Sequence, residues 1–187
     1  CDYCGVDTEH AGTTLYNVFK GQAAPQTALV NVQVGADLLL GDLLFTKADS
    51  EFTQIGREVM LKKALSAFNT VYDYCIVDTA PNLGILLANA LAAADSVIIP
   101  LTASRFSLKG MNQLAKFIDE IRQDRNPELK INGVLLTRYN KRTVLNRMLL
   151  DETQQSAEIL GTKLYKTTIR QSIAMDESQV MQEDIYA

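Results

Sequence analysis

The sequence is poor in the residues that build zinc sites and disulfide scaffolds. Its 187 residues include one histidine (His10), three cysteines and no tryptophan. Cys1 and Cys4 have the C-x-x-C spacing of a zinc half-site, but no second cysteine pair or downstream histidine pair completes the four ligands. Three cysteines also do not form a disulfide framework. The sequence therefore argues against a zinc centre and against a disulfide-stapled fold.

Several motifs and segments are also missing. The sequence contains no G-x-x-x-x-G-K-[ST], no G-x-G-x-x-G and no G-x-S-x-G, so it has no phosphate-cradling loop or serine elbow of its own. No apolar run approaches the roughly 20 residues that span a bilayer, and no signal peptide opens the chain, so a cytoplasmic location is expected. The net charge of −4 gives no global attraction to nucleic acid, and any such binding must use a local patch.

What the sequence does contain is typical of one soluble α/β domain, expected to cover residues 1–187. Apolar residues make up 47% and charged residues 21% of the chain. In the first part we predict a capped helix over 13–19, extended pieces over 29–34 and 36–40, an irregular stretch over 41–51 and an amphipathic helix over 56–68.

From residue 74 onward, predicted strands alternate with predicted helices. The strands are 74–78, 96–100, 131–136 and a short 163–169, and the helices are 85–93, 107–122 and 143–160. This alternation predicts a three-layer α/β fold, with a mostly parallel sheet, helices on both faces and right-handed crossovers.

Residues 72–81, reading YDYCIVDTAP, are the stretch around which we expect the fold to be organised. The apolar run without alternation predicts a strand buried on both faces, with Asp78 at its carboxyl end. Ligands of open α/β sheets bind outside the carboxyl ends of the strands, where a carboxylate is placed to hold a metal ion or a water. Asp78 alternatively caps the turn that follows it. The segments after the other strands, 100–105, 137–140 and 169–171, are expected at the same edge.

These residues also carry a resemblance to a known family. Residues 72–84 resemble the Walker B region of the ParA/Soj/MinD family of deviant P-loop ATPases, and the similarity is greatest to the ParA/Soj partition branch. Further blocks follow in the family's order, namely 14–18, 89–91, 93–100, 106–110, 126–129 and 133–137. The resemblance implies a P-loop NTPase-like fold that is incomplete at both ends, with the Walker A segment absent from the sequence.

The resemblance also implies roles for individual residues. Asp78 would be the catalytic Walker B carboxylate and would hold Mg²⁺ through a water, while Thr79 and Pro81 would belong to the switch that senses the γ-phosphate of ATP. The nucleotide base pocket would be lined by Thr137, Arg138, Tyr139, Ile169 and Arg170. The sequence departs from relatives that carry proline then arginine where Arg170 and Gln171 stand. A basic cluster, Arg138, Lys141, Arg142 and Arg147, would contact DNA phosphates.

As a function, the resemblance implies an ATPase of plasmid or chromosome partitioning that dimerises with ATP, binds DNA non-specifically and is regulated by a ParB-like partner. Such a protein would be cytoplasmic, associated with the nucleoid and without a membrane anchor. Two alternatives stay open, namely a MinD-like positioning ATPase and a nucleotide-independent interaction module. A receiver domain with Asp78 as phosphate acceptor is disfavoured, because no acidic pair ends an earlier strand.

The 187-residue chain itself is expected to bind ATP·Mg²⁺ very weakly and to hydrolyse none. The lysine and the loop amides that neutralise the phosphates are absent from its sequence. Isothermal titration calorimetry with ATP·Mg²⁺ measures this directly. Micromolar binding would contradict the prediction and reveal a phosphate site that these motifs do not include.

Overall fold

The computed structural model describes residues 6, 12–32, 35–102, 104–139 and 144–181, apart from the side chains of 105–109, 144–148, 176 and 179. The chain divides into two compact units. The first unit is Cys1–Ala93 with Ile173–Ala187, and the second is Ala94–Ser172. The prediction of a single domain over residues 1–187 stays a prediction.

The first unit begins with a short capped helix and a hairpin. Helix α1, Leu15–Phe19, has Thr14 as its N-cap, and the Asn17 side chain accepts a hydrogen bond from the Thr14 amide at 2.9 Å. Strands β1 (Leu29–Val32) and β2 (Ala36–Leu39) pair antiparallel. The helix and both extended pieces were predicted, and residues 33–34 of the predicted first strand lie outside the described residues.

The prediction that residues 41–51 are irregular is wrong. They form a 3-10 helix, Leu43–Lys47, followed by the single turn α2, Ala48–Glu51. Asp42 caps this segment by accepting from the Leu44 amide at 2.8 Å. The segment also completes an aromatic cluster whose ring centroids lie 5.4 to 6.4 Å apart, formed by Tyr16, Phe19, Phe45 and Phe52. Burial of these rings stabilises a structure that the local sequence does not signal.

A hydrogen-bonded carboxylate lies beside the aromatic cluster. The Tyr16 hydroxyl donates to Glu51, and the Lys20 ammonium lies 3.0 Å from the same carboxylate and over the Tyr16 and Phe52 rings. The bonds from Tyr16 and Lys20 lower the pKa of Glu51 below its usual value. The last residue of α2 is therefore connected to α1 by direct side-chain contacts.

The predicted helix over 56–68 is divided into three short pieces. They are the 3-10 turn Arg57–Val59, helix α3 (Met60–Leu65) and the 3-10 turn Ser66–Phe68. Helix α4, Ile85–Ala93, has the predicted bounds.

Asn89 on α4 is 2% exposed and connects α4 to α3. Its Oδ1 accepts from the Leu61 amide at 2.9 Å, and its Nδ2 donates to the Arg57 and Ile85 carbonyls at 2.7 and 2.9 Å. One buried amide thus binds the Leu61 amide and the Arg57 carbonyl beside the break before α3, and also the Ile85 carbonyl of its own helix.

The predicted buried strand over 74–78 is wrong. These residues have no strand pairing with any described residue, and the Tyr74 and Ile76 side chains are 90% and 94% exposed. A strand is held by hydrogen bonds to its neighbours, so an apolar run cannot form one where no partner is present. Tyr72 anchors the beginning of this stretch, because its hydroxyl donates to Asp37 at 2.5 Å.

The second unit contains the parallel strands. Strand β3, Ser96–Thr102, pairs in parallel with β4, Lys130–Thr137, with Ser96 opposite Lys130 and Thr102 opposite Thr137. Helix α5, Arg105–Asp124, connects them, and α6, Val144–Ile159, follows β4. These elements match the predicted ones to within two residues at most ends. Buried apolar side chains come from both strands and both helices, namely Ile99, Leu101, Met111, Ile118, Val134, Leu136, Leu149 and Ala157.

The predicted strand over 163–169 is wrong, although the segment lies against β4. It makes two isolated parallel bridges, Val134 with Leu164 and Tyr139 with Arg170. The two segments approach closely just before the first bridge, since a Cβ on Gly133 would lie 2.7 Å from the Tyr165 ring and 3.0 Å from the Lys163 carbonyl. In the first unit, helix α7, Ile173–Met181, was not predicted. None of the helices described here is both long and apolar enough to cross a bilayer.

Replacing Asn89 with alanine is expected to lower the free energy of unfolding by about 2–4 kcal/mol, because the Leu61 amide and two carbonyls lose a buried partner. Chemical denaturation measures the change. The control is Asn31→Ala, which removes an exposed bond to Asp37 and should cost less than about 1 kcal/mol. Equal stability of the two variants would contradict the role given to Asn89.

Candidate functional site

Asp78 is exposed in an extended segment of the first unit, and not at the end of a strand. Among the described residues, no hydrogen bond or ion pair engages its carboxylate. The turn beyond it is closed by backbone alone, with the Asn82 amide donating to the Ala80 carbonyl at 2.9 Å. The alternative in which Asp78 caps this turn is therefore not seen in the structure. The carboxylate is left available to an external group.

Thr79 and Pro81 are exposed beside Asp78. The segment that carries them ends at Gly84, after which α4 begins. At that point the Asp49 carboxylate accepts a hydrogen bond from the Ile85 amide at 2.7 Å.

Neither Asp49 nor Asn89 was identified from the sequence. Asn89 had a weak signal, since it is the one polar residue in the run ILLANALAA, whereas nothing local indicates Asp49.

A second group of predicted residues comes together in the second unit, at the carboxyl ends of β3 and β4. The Thr137 hydroxyl donates to the Leu101 carbonyl at 3.4 Å, and Tyr139 bridges to Arg170. The Tyr139 amide donates to the Ile169 carbonyl at 3.0 Å. The structure thus brings together all five residues predicted for the base pocket, as the rule for strand ends anticipates. Their role in base binding stays a prediction.

These residues differ in what they present to solvent. Arg138 and Arg170 are exposed, whereas Tyr139 is only 6% exposed. Arg138 has a φ of 50°, the left-handed region that few residues other than glycine adopt. The Tyr139 side chain acts in packing, so the two arginines and the exposed edge of Ile169 are the parts of this group that face solvent.

The predicted DNA-binding cluster is described only in part. Arg138 is exposed at the end of β4. Lys141 and Arg142 lie outside the described residues, and Arg147 falls in the part of α6 whose side chains are not described. The role of this cluster stays a prediction.

Magnesium fits the chemistry that Asp78 offers. Mg²⁺ prefers oxygen ligands and keeps several waters, so that one or two carboxylates with substrate phosphates suffice. An exposed carboxylate without another partner among the described residues meets this requirement. Among all the residues that the structure describes, no three histidine, cysteine, aspartate or glutamate side chains lie close enough together to hold a metal ion by themselves. Cys1, Cys4 and His10 lie outside the described residues.

Sequence reasoning also missed a cationic pocket of about 530 Å³ at the amino end of β4. Arg122, Lys130 and Lys163 line it, together with Ile131, Asn132, Gly161 and Thr162. Arg122 is in the last turn of α5 and donates to the Leu129 carbonyl at 2.8 Å. A cation near a helix C-terminus offsets the negative end of the helix dipole, which accounts for the position of Arg122 structurally.

The fold is the α/β fold of P-loop ATPases. It resembles the crystal structure of cobyrinic acid a,c-diamide synthase from Mycobacterium smegmatis with bound ADP and magnesium, with a TM-score of 0.75 and 33% identity. The similarity covers 80% of this chain and 61% of that one. The predicted fold class is confirmed.

The family can also be stated. A family described as an AAA domain matches residues 2–131. The chromosome partitioning protein ParA of Caulobacter vibrioides is 33% identical over 178 residues, which are 93% of this chain and 66% of the relative. The sporulation initiation inhibitor protein Soj of Bacillus subtilis is 40% identical over 124 residues, 66% of this chain and 48% of the relative. The chain belongs to the ParA/Soj/MinD family of P-loop ATPases, and it spans less than two thirds of the length of these relatives.

Replacing Arg138 with glycine is expected to raise the free energy of unfolding by up to about 1 kcal/mol, because glycine adopts a φ of 50° without steric cost. Thermal unfolding measures the effect. The matched control is Arg170→Gly, since this exposed arginine has no positive φ and glycine there adds only entropy to the unfolded state. A larger loss of stability at 138 than at 170 would contradict the strained conformation.

Proposed function

We propose that this chain forms part or all of a ParA/Soj-type ATPase that uses ATP and Mg²⁺ in the partitioning of plasmids or chromosomes. Two observations support the proposal. The chromosome partitioning protein ParA of Caulobacter vibrioides matches 93% of the chain, and a solved structure of the same fold binds ADP and magnesium. Because the chain spans 66% of the Caulobacter relative, the activity of the whole protein is part of the proposal.

The observation that carries the proposal is the availability of the Asp78 carboxylate. It is exposed, and no described residue uses it for structure. In the proposed role, Asp78 accepts a hydrogen bond from a water of the Mg²⁺ shell and so orients it beside the γ-phosphate. The bound Mg²⁺ would neutralise charge on the phosphates. Thr79 and Pro81 follow directly and would change conformation according to whether the γ-phosphate is present.

The strand-end group of the second unit is proposed to bind the nucleotide base. Thr137 and Ile169 offer a small surface of mixed polarity, and the exposed Arg138 and Arg170 can stack on a base or donate to its acceptors. Tyr139 supports this group through its backbone bond to Ile169. In the proposal, this group sets base preference.

The remaining features of the proposed function concern partners. ATP-dependent homodimerisation, non-specific DNA binding and stimulation by a ParB-like protein are proposed for the protein to which this chain belongs. We also propose that this protein is cytoplasmic and associated with the nucleoid. The net charge of −4 requires that DNA contacts come from a local group such as Arg138, Lys141, Arg142 and Arg147. Binding through so few cations falls steeply with salt, with a log–log slope of about −0.9 per phosphate contacted.

Replacing Asp78 with alanine is expected to abolish ATP hydrolysis by the full-length gene product, a loss of at least about 100-fold in kcat. The melting temperature should be unchanged or slightly higher, since no described residue depends on this carboxylate. Steady-state hydrolysis and thermal unfolding are measured on the same variant.

The matched control is Asp73→Ala, an exposed acidic residue in the same segment. It should leave both quantities near those of the wild type. Hydrolysis close to the wild-type rate in Asp78→Ala, together with a lowered melting temperature, would contradict the Walker B role and favour a turn-capping one.

A further inference from the structure

The first turn of α4 takes its cap from a residue far away in the sequence. Gly84 is the N-cap, because its carbonyl accepts from the Ala88 amide at 3.0 Å, but glycine has no side chain to satisfy the free amides of the first turn. Asp49 supplies the acceptor instead. Its Oδ1 lies 2.7 Å from the Ile85 nitrogen, 36 residues along the chain. The beginning of α4 is therefore defined by α2.

The space around Gly84 shows how closely the two segments approach. A Cβ at this position would lie 2.7 and 2.9 Å from the two Asp49 carboxylate oxygens and 3.1 Å from Asp49 Cγ. Gly84 is not among the glycines with positive φ. A side chain at this position would therefore force the Asp49 carboxylate to move, whereas the backbone conformation itself does not require glycine.

Asp49 is itself held by its neighbours in α2. Ala48 and Phe52 on either side are 1% and 2% exposed. The Phe52 amide closes the turn on the Ala48 carbonyl at 3.0 Å, and Glu51 is bound by Tyr16 and Lys20. Asp49 itself is exposed, and its carboxylate is presented from a short turn that the buried Ala48 and these hydrogen bonds hold in place.

The segment that precedes Gly84 has few other attachments. Residues 74–83 are exposed and form no strand pairing with the rest of the described chain. Its beginning is tethered by the bond from Tyr72 to Asp37, and its end by the bond from Ile85 to Asp49. A change at either tether would displace Asp78 and Thr79 without touching them.

We propose that Asp49 is a positioning residue for nucleotide hydrolysis, which fixes the end of the 78–84 segment and thereby places Asp78 and Thr79. The structural half of this proposal stands on the contacts of Asp49 with Gly84 and Ile85. The functional half rests on the proposed ATPase activity. A displacement of about 1 Å in a catalytic group is enough to cost about 100-fold in rate, so a bond of this kind is expected to influence turnover.

The structural half is tested on the 187-residue chain by hydrogen exchange. Asp49→Ala should speed exchange of the Ile85 amide by at least about tenfold, because opening of this turn then breaks one bond fewer. Asp49→Asn keeps an oxygen acceptor and should restore most of the protection. The control is Asp119→Ala, which removes an exposed carboxylate paired with Arg122 in the second unit and should leave the Ile85 amide unchanged. Unchanged exchange in Asp49→Ala would overturn the proposal.

A second variant keeps the test decisive if Asp49→Ala folds poorly. Gly84→Ala should displace the carboxylate and speed exchange at Ile85 in the same way. In the double variant with Asp49→Ala, Gly84→Ala should speed exchange at Ile85 little further, because the added methyl group then meets no carboxylate. Fully additive effects of the two changes would contradict the contact.

The functional half is tested in the full-length gene product. Asp49→Ala should lower kcat for ATP by about 10–100-fold with KM changed less than about twofold, as for a loss that affects the transition state only, and Asp49→Asn should recover most of the rate. Unchanged kcat with faster exchange would make Asp49 a structural cap only and overturn the proposal. A wild-type protein that hydrolyses no ATP would instead refute the proposed function, and the exchange data would still decide whether Asp49 holds the segment.

Discussion

The arrangement of the first unit depends on backbone groups that no regular helix or strand satisfies. The break before α3 and the beginning of α4 leave backbone groups that need hydrogen-bond partners, and two side chains supply them. The Asn89 amide binds Leu61, Arg57 and Ile85. The Asp49 carboxylate accepts a hydrogen bond from the Ile85 amide. These contacts determine where α4 begins, and hence where the exposed segment carrying Asp78 ends.

Local patterns predicted the elements whose stability is local. Helix α4 and strands β3 and β4 were identified from short apolar segments and from the alternation of strands with helices. The prediction of a strand over 74–78 was wrong because a strand also depends on a neighbouring segment. An apolar run shows that a segment can be buried, but the hydrogen bonds that make it a strand belong to a neighbour, and no described residue provides one.

The residues of the candidate site could be predicted from the sequence, but the residues that hold them in position could not. The rule that strand ends carry ligands located Thr137, Arg138 and Arg170, which the structure brings together through the backbone pairing of β4 with residues 169–170. Asp49 could not be found in this way. Its partner lies 36 residues away, and nothing in the sequence around it differs from an ordinary exposed turn. Long-range caps of this kind become visible only when the fold is known.

The central claim is that the segment around Asp78 lies beside the metal and phosphates of a bound nucleotide. Paramagnetic broadening in the NMR spectrum of the full-length gene product tests it most directly, because Mn²⁺ takes the oxygen ligands that Mg²⁺ uses. Adding Mn²⁺·ATP should broaden the amide signals of residues 78–84, and excess Mg²⁺ should restore them. Sharp signals from 78–84, with broadening confined to another part of the protein, would contradict the account.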